Sequence, residues 1–429
     1  MMTPLTIAEK ILSAKCGRSA RAGEIVVCDV DVVIGTDGSG PMAIDYFERM
    51  GGAAGRVKNP SQVFFSLDHY APPNTPQTRA FHERIRAFAR TQGAAVFDVG
   101  DGISHQVVAE RALALPGDLV VGADSHTVTL GALNCFAIGV GSSDLAAAMF
   151  TGQIWLRVPE TIRIRFVGST ARRVPAKDIA LALVGALGAD GADYCAIEFA
   201  GELDNLDADD RWVISNLMVE AGAKAALFPC DATTREYFGR RTSRTSRTSR
   251  AFTPVTADAD ARYARELTVD LDALGMRIAL PHAPDNVVPL AGAAGTPVQM
   301  VFVGTCTGGR ASDFRAMRAA FDVAGGTVAA GVKLVLTPAS RDVLDELTRD
   351  GTVAHLVAAG AEVTTAGCGA CCGTSGVIPS DGDTVLSTAN RNFQARMGNA
   401  SARIFLASPA VCGTAAATGE IPAAIGAAR

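Results

Sequence analysis

The sequence predicts an α/β protein built from about three domains. Short β-branched runs alternate with Ala-rich helical stretches, the pattern of strands joined by crossover helices. The 429 residues exceed what one ordinary core accommodates, and ~150 residues per domain gives about three. A composition that is 48% hydrophobic but only 6% aromatic, with 44 glycines, fits an Ala/Gly/Val-rich α/β enzyme better than a β-sandwich.

Along the chain, "MMTPLTIAEKILSAK" reads as a helix opened by a capping box from Thr6 to Glu9. Glu9, Lys10 and Lys15 interrupt its apolar stretch, so it is not expected to be a secretion signal. "EIVVCDVDVVIG" has the pattern of a buried strand, "QTRAFHERIRAFARTQG" that of an amphipathic helix closed by a glycine, and "AAVFDVG" that of a second strand. The pattern restarts at "RVPETIRIRFVG" after the Gly/Ala-rich "GVGSSDLAAAMFTG", which sets a first boundary near 160. The loop-rich "LPHAPDNVVPLAGAAGTPVQMVFVG" sets a second near 292. The expected domains are therefore 1–160, 161–292 and 293–429. Within the second, the Arg-Thr-Ser repeat at 241–250 is polar and basic and is expected to form a mobile loop.

A net charge of −5 gives no electrostatic reason to expect nucleic acid or an anionic membrane as partner. No uncharged apolar run approaches the ~20 residues needed to span a bilayer. Ten cysteines without a secretion signal point to reduced thiols in a cytoplasmic setting, where clustered cysteines are ligands or catalysts rather than disulfides.

Several stretches carry chemistry. In "GCGACCG", Cys368 and Cys371 form a glycine-flanked Cys-x-x-Cys, which reads as a redox pair, half a zinc site or two ligands of an iron–sulfur cluster. No second Cys-x-x-Cys or His pair completes a zinc site. "VFVGTCTGGR" adds Cys306 in a tight turn at a strand exit, where α/β folds place their sites. Cys16, Cys28, Cys135, Cys195, Cys230 and Cys412 lie in apolar surroundings and read as small core residues. Among six histidines, His69 follows Asp68, His105 sits in "GDGISHQVVAE", and His126 lies in Asp124–Ser125–His126. Carboxylates beside imidazoles suit proton transfer. "STANRNFQARMG" places Arg391 and Arg396 among asparagines, which reads as a solvated charged face or as capture of a substrate carboxylate.

Taken in order, "DSHTVTLGALNCFAIGVGSSD", "GTCTGGR", "GCGACCG" and "STANRNFQARMG" resemble the aconitase/isopropylmalate dehydratase superfamily, and the resemblance runs from "DHYAPP" to "LASPA". It implies three α/β/α domains of the aconitase type around one central [4Fe-4S] cluster, with the cysteines in the third domain. The cluster ligands it implies are Cys306, Cys368 and Cys371. The catalytic residues are Asp68, His69, His105, Asp124, His126 and Glu220 of "SNLMVEAGAKAAL". Substrate contacts fall on Ser125, Asn216, Asn390, Arg391 and Arg396. The implied reaction is reversible dehydration and rehydration of a hydroxy-dicarboxylic acid without redox turnover. The compact length is similar to large subunits of the isopropylmalate dehydratase and homoaconitase type. Isopropylmalate in leucine biosynthesis is thus the first expectation, with homoaconitase, 2-methylmalate (citraconate) and 2,3-dimethylmalate dehydratase as alternatives.

The chain departs from the family pattern at several places. Gly309 stands where asparagine is usual, Ala395 where glycine is common, Cys372 where an apolar residue is usual, and Thr36 in "TDGSGPMAI" where histidine is usual. The swivelling small domain, which in the family supplies a serine base and much selectivity, has no counterpart after "AAIGAAR". A small-subunit partner is therefore expected. Two readings from other classes are an aconitase-like RNA-binding protein and a Cys-x-x-Cys thiol oxidoreductase; the latter would need neither Cys306 nor the arginine pair.

Overall fold

The computed structural model describes residues 4–168, 174–242 and 252–425. All but the first two residues of the Arg-Thr-Ser repeat lie outside these; Arg241 and Thr242 close the helix Ala232–Thr242.

Among the described residues, three sheets of four or more strands, each rich in parallel strands, and one two-stranded ribbon organise the chain, so the α/β expectation holds. The first has the order Ala95–Phe97, Val63–Ser66, Val32–Thr36, Leu119–Gly122 and Phe136–Gly139, all parallel. Its central strand Val32–Thr36 is buried throughout. Val33 enters one apolar cluster and Val32 and Ile34 enter another, because helices cover both faces of a parallel sheet. The second sheet runs Ala225–Leu227, Ala196–Gly201, Thr161–Val167 and Arg265–Asp270, again parallel. The third has seven strands: Val287–Pro289, Arg277–Ala279, Arg403–Leu406, Thr384–Ser387, Met300–Gly304, Lys333–Thr337 and Glu362–Val363. Its first two strands join antiparallel and the other five are parallel.

Local signals act where the sequence placed them. Thr6 and Glu9 form the reciprocal capping box of helix Ile7–Cys16. Helix Pro76–Gln92 starts at a Thr75 cap with proline in its first turn and ends on Gly93 at φ +76°. One expectation needs correcting. "EIVVCDVDVVIG" is not one buried strand but two, Ile25–Asp29 and Val32–Thr36. The first pairs antiparallel with Gln153–Arg157 and alternates exposed and buried residues, while the second is buried on both faces. The turn between them is held by the Asp31 carboxylate, which accepts from Leu119 N at 2.8 Å. Among the described residues, no helix is long and apolar enough to cross a membrane.

The parallel strands of the first and third sheets place chemistry at their carboxyl ends. Asp37 follows Val32–Thr36, Asp68 and His69 follow Val63–Ser66, and Asp124 follows Leu119–Gly122. From the third sheet, Cys306 follows Met300–Gly304 and Asn390 and Arg391 follow Thr384–Ser387. Carboxyl-end loops are free of sheet pairing, so they can carry polar groups into a shared cleft. The two edges meet directly: Cys368 N donates to Asp68 O at 2.9 Å, and Gly102 bridges Ser340.

Candidate active site

The three expected ligand cysteines converge from two segments, Cys306 from one and Cys368 and Cys371 from a single turn, and all are free thiols. Cys306 and Cys368 pack into one small apolar cluster with Ile103 and Ala339. Asn390 Oδ1 lies 3.8 Å from Cys306 Sγ and 3.7 Å from Cys371 Sγ, so one side-chain amide spans two of the sulfurs. Asn216 Nδ2 and Asn390 Nδ2 point at Cys306 Sγ from 3.1 and 3.3 Å. Arg396 Nη2 lies 3.9 Å from Cys371 Sγ. Burial pushes the Cys306 thiol up to about 11 and the Cys368 thiol well above its ordinary range. Thiols this buried ionise only against a bound cation, and N–H donors aimed at sulfur are the usual surroundings of a metal-bound thiolate. The donor set therefore fits an iron–sulfur group. Cys372 belongs elsewhere: its sulfur sits 2.8 Å from Thr374 Oγ1.

Close packing shapes the Cys306 turn. A Cβ on Gly308 would lie 2.2 Å from Thr388 Oγ1, and one on Gly309 would lie 2.4 Å from Thr305 O. The glycine at 309, where the family pattern has asparagine, thus matches a backbone approach that leaves no room for a side chain.

Beside the sulfurs, carboxylates hold the imidazoles. His69 Nδ1 meets Asp68 Oδ1 at 2.7 Å and its Nε2 meets Asp124 Oδ2 at 3.3 Å. Burial opposes charge on His69, but Cys368, Asp68 and Asp124 together raise its pKa well above the ordinary value. Asp68, His69 and Cys368 bring donor atoms within 4.8 Å of one another. With both His69 nitrogens engaged by carboxylates, this trio is better read as an acid–base group beside the sulfurs than as a separate metal site. Asp124 Oδ1 accepts from His126 N at 2.6 Å, and bonds from His126 and His69 outweigh burial to keep its pKa well below normal.

His126 Nε2 lies 2.9 Å from Glu220 Oε1. Arg391 Nε meets both Glu220 oxygens, at 2.8 and 3.0 Å, and its Nη2 donates to Ser125 Oγ at 3.0 Å. Burial works against ionisation of Glu220, yet its contacts with His126 and Arg391 lower its pKa.

Two residues sit differently from the sequence reading. His105 is buried with no hydrogen-bond partner on either ring nitrogen, and burial takes its pKa down to about 4. Its ring lies beside Trp212, with centroids 6.5 Å apart. His105 is thus a neutral imidazole, not one charged by a carboxylate partner. Arg396 does not share a partner with Arg391: it leans on Cys371, and its buried Nε is unpartnered.

Sequence reasoning missed three contributors. Asp37 is fully buried and accepts from His69 N, Tyr70 N and His82 Nε2, at 2.9, 2.9 and 2.8 Å. His82 lies inside an ordinary amphipathic helix, and nothing in its spacing marks it. Lys177 reaches in from the helix Ala176–Leu187, which carries no motif.

The aconitase family (aconitate hydratase) model matches residues 9–297 and 291–419. The 3-isopropylmalate dehydratase large subunit 1 of Methanopyrus kandleri is 41% identical over 418 residues, covering 97% of this chain and 98% of that protein. The corresponding large subunit 1 of Thermotoga maritima is 42% identical over 419 residues with the same coverage. The homoaconitase large subunit of Thermus thermophilus is also 42% identical over 419 residues, covering 97% of this chain and 96% of that protein. With the family model spanning nearly all of the chain, and relatives above 40% identity over almost their full length, this chain belongs to the aconitase family.

Proposed function

We propose that this chain is the large subunit of a hydro-lyase that reversibly dehydrates a hydroxy-dicarboxylic acid, with 3-isopropylmalate as its substrate. The observation that carries the reading is the meeting of three free thiols, two carboxylate-held imidazoles and an arginine fork at the facing edges of two sheets. The names of the relatives support isopropylmalate first and the homoaconitase substrate second.

Cys306, Cys368 and Cys371 would hold a [4Fe-4S] cluster. When bound, such a cluster supplies one iron without a protein ligand, a Lewis acid toward the substrate's hydroxyl and carboxylate oxygens. The protein's own groups do the rest. Arg391, steadied by Glu220 and Ser125, presents its remaining guanidinium edge to a substrate carboxylate, and Arg396 adds a second positive charge. His69, charged between Asp68 and Asp124, gives a proton to the departing hydroxyl, which leaves as water. A base takes the proton from the neighbouring carbon, and that C–H electron pair becomes the new double bond as the C–O bond breaks. The large-subunit names of the relatives support a small-subunit partner that completes the site and brings this base.

The test is anaerobic reconstitution with iron and sulfide, with and without the candidate small subunit, assayed on isopropylmalate, homocitrate and 2-methylmalate. Iron uptake with partner-dependent turnover of isopropylmalate is the expected result. Failure to take up iron would sink the ligand assignment, and full activity without a partner would sink the two-subunit reading.

A further inference from the structure

Lys177 violates every local rule for a lysine. It lies in the first turn of the helix Ala176–Leu187, where the positive end of the helix dipole opposes a cation. It is 2% exposed, although lysines are almost never fully buried unless paired. Its three acceptors are neutral: Ala389 O at 2.7 Å, Thr388 O at 2.9 Å and Thr307 Oγ1 at 3.3 Å. Among the described residues, no carboxylate makes an ion-pair contact with it. A charge so placed is retained when something beyond its own element requires it.

Its partners identify that requirement. Thr307 is next to Cys306 in sequence, and Thr388 and Ala389 immediately precede Asn390 and Arg391. Thr307 Oγ1 also donates to Thr388 O at 2.7 Å. One ammonium from the second sheet's layer therefore staples together the two loops of the third sheet that carry Cys306 and the amide spanning Cys306 and Cys371. Burial pulls the lysine's pKa down to about 8, and Cys306, Cys412, Asp313 and Cys371 act against that pull. Its contacts with Thr307 and Ala389 thus place the ammonium one residue away in sequence from both Cys306 and Asn390.

We propose that Lys177 is the positioning cation of the sulfur site, orienting the Cys306 and Asn390 loops and holding a fixed positive charge against the thiolates of Cys306 and Cys371. The inference rests on the reading that these cysteines hold an iron–sulfur cluster. A buried cation beside a site that gains negative charge on thiolate formation and on reduction stabilises both changes. Lys177 touches no substrate in this role; it acts through the sulfurs and their loops.

The test compares wild type, Lys177→Met and Lys177→Arg after anaerobic reconstitution. Iron and sulfide content, the rate of iron loss to a chelator, the midpoint potential by redox titration, and thermal unfolding are measured for each. Folded Lys177→Met is expected to lose iron about 10- to 100-fold faster, the range typical of lost outer-shell partners, with a more negative midpoint potential. Lys177→Arg, which keeps the charge, is expected to keep the wild-type potential. A folded Lys177→Met with wild-type iron retention and potential would overturn the proposal while leaving the cluster reading intact. Wild type that takes up no iron would overturn both. Should Lys177→Met fail to fold, Thr307→Val carries the test, because it removes one acceptor and leaves the charge. Faster iron loss at unchanged potential supports the proposal, and unchanged iron retention overturns it.

Discussion

The Arg391 side chain closes on Glu220 through a forked contact, Nε lying 2.8 Å from Oε1 and 3.0 Å from Oε2. Glu220 Oε1 also meets His126, so one carboxylate fixes both an imidazole and a guanidinium that come from different sheets' layers. Lysine carries the charge but cannot reproduce the fork and the simultaneous bond to Ser125. Arg391→Lys is therefore expected to raise KM about 10- to 100-fold, the equivalent of one charge-assisted hydrogen bond. Steady-state kinetics of the reconstituted enzyme check this, and an unchanged KM would remove Arg391 from substrate binding.

The cysteines divide sharply. Cys306→Ser is expected to abolish stable iron binding and activity, because one of three thiolates is lost from a site with no spare sulfur. Cys372→Ser should retain iron, since that thiol faces Thr374. Iron and sulfide analysis of the two variants in parallel decides between them; equal loss in both would refute the ligand assignment.

Asp37 ties three groups beneath His69, which makes it a positioning residue for the acid. Asp37→Asn leaves His82 and the His69 backbone without their carboxylate. Leaving a buried hydrogen-bonding group without its partner costs about 1–3 kcal/mol. A fall in kcat is expected beyond what the loss in unfolding midpoint explains, with KM little changed. Wild-type kcat in the folded variant would show that His69 needs no such support.

Ala395 has φ +64°, in the left-handed region that penalises a Cβ. Glycine is common at the matching position of the family pattern and would relieve that strain. Ala395→Gly should stabilise the protein by about 1 kcal/mol, offset in part by the greater freedom of the unfolded glycine. Chemical unfolding of the apo-protein measures this, and any destabilisation would contradict it.

Glu198 gives a pH dependence outside the active site. Burial raises its pKa from 4.5 to about 7, while it accepts from Ala8 N at the start of the first helix. A carboxyl whose folded pKa lies above its unfolded one stabilises the native state fully below the unfolded value. That contribution is lost as pH rises through about 7. Glu198→Gln should accordingly gain on wild type between pH 5 and pH 8, by at most about 3 kcal/mol. Equal pH profiles of the two unfolding midpoints would show that Glu198 ionises freely in the fold.

The α/β class was legible because strand and helix periodicities are local, and so were the cap at Thr6 and the closing glycine Gly93. The split at Val30–Asp31 was not, because only pairing partners distinguish an edge ribbon from a central strand when both are equally apolar. Motif order likewise exposed His69, His126, Cys306, Cys368, Cys371 and Arg391, whose neighbours in sequence are themselves unusual.

By itself, then, the sequence determined the element types and which short segments carry chemistry, since both depend on interactions between residues near one another in the chain. Only the tertiary structure decided who partners whom. It placed Arg391 on Glu220 and Arg396 on Cys371, left His105 neutral and unpaired, and brought Asp37, His82 and Lys177 beneath the site. The physical reason is that burial and charge pairing are set by groups tens to hundreds of residues apart. An aspartate in a turn or a lysine in a helix has no local mark of the low-dielectric, oppositely charged surroundings that give it a role.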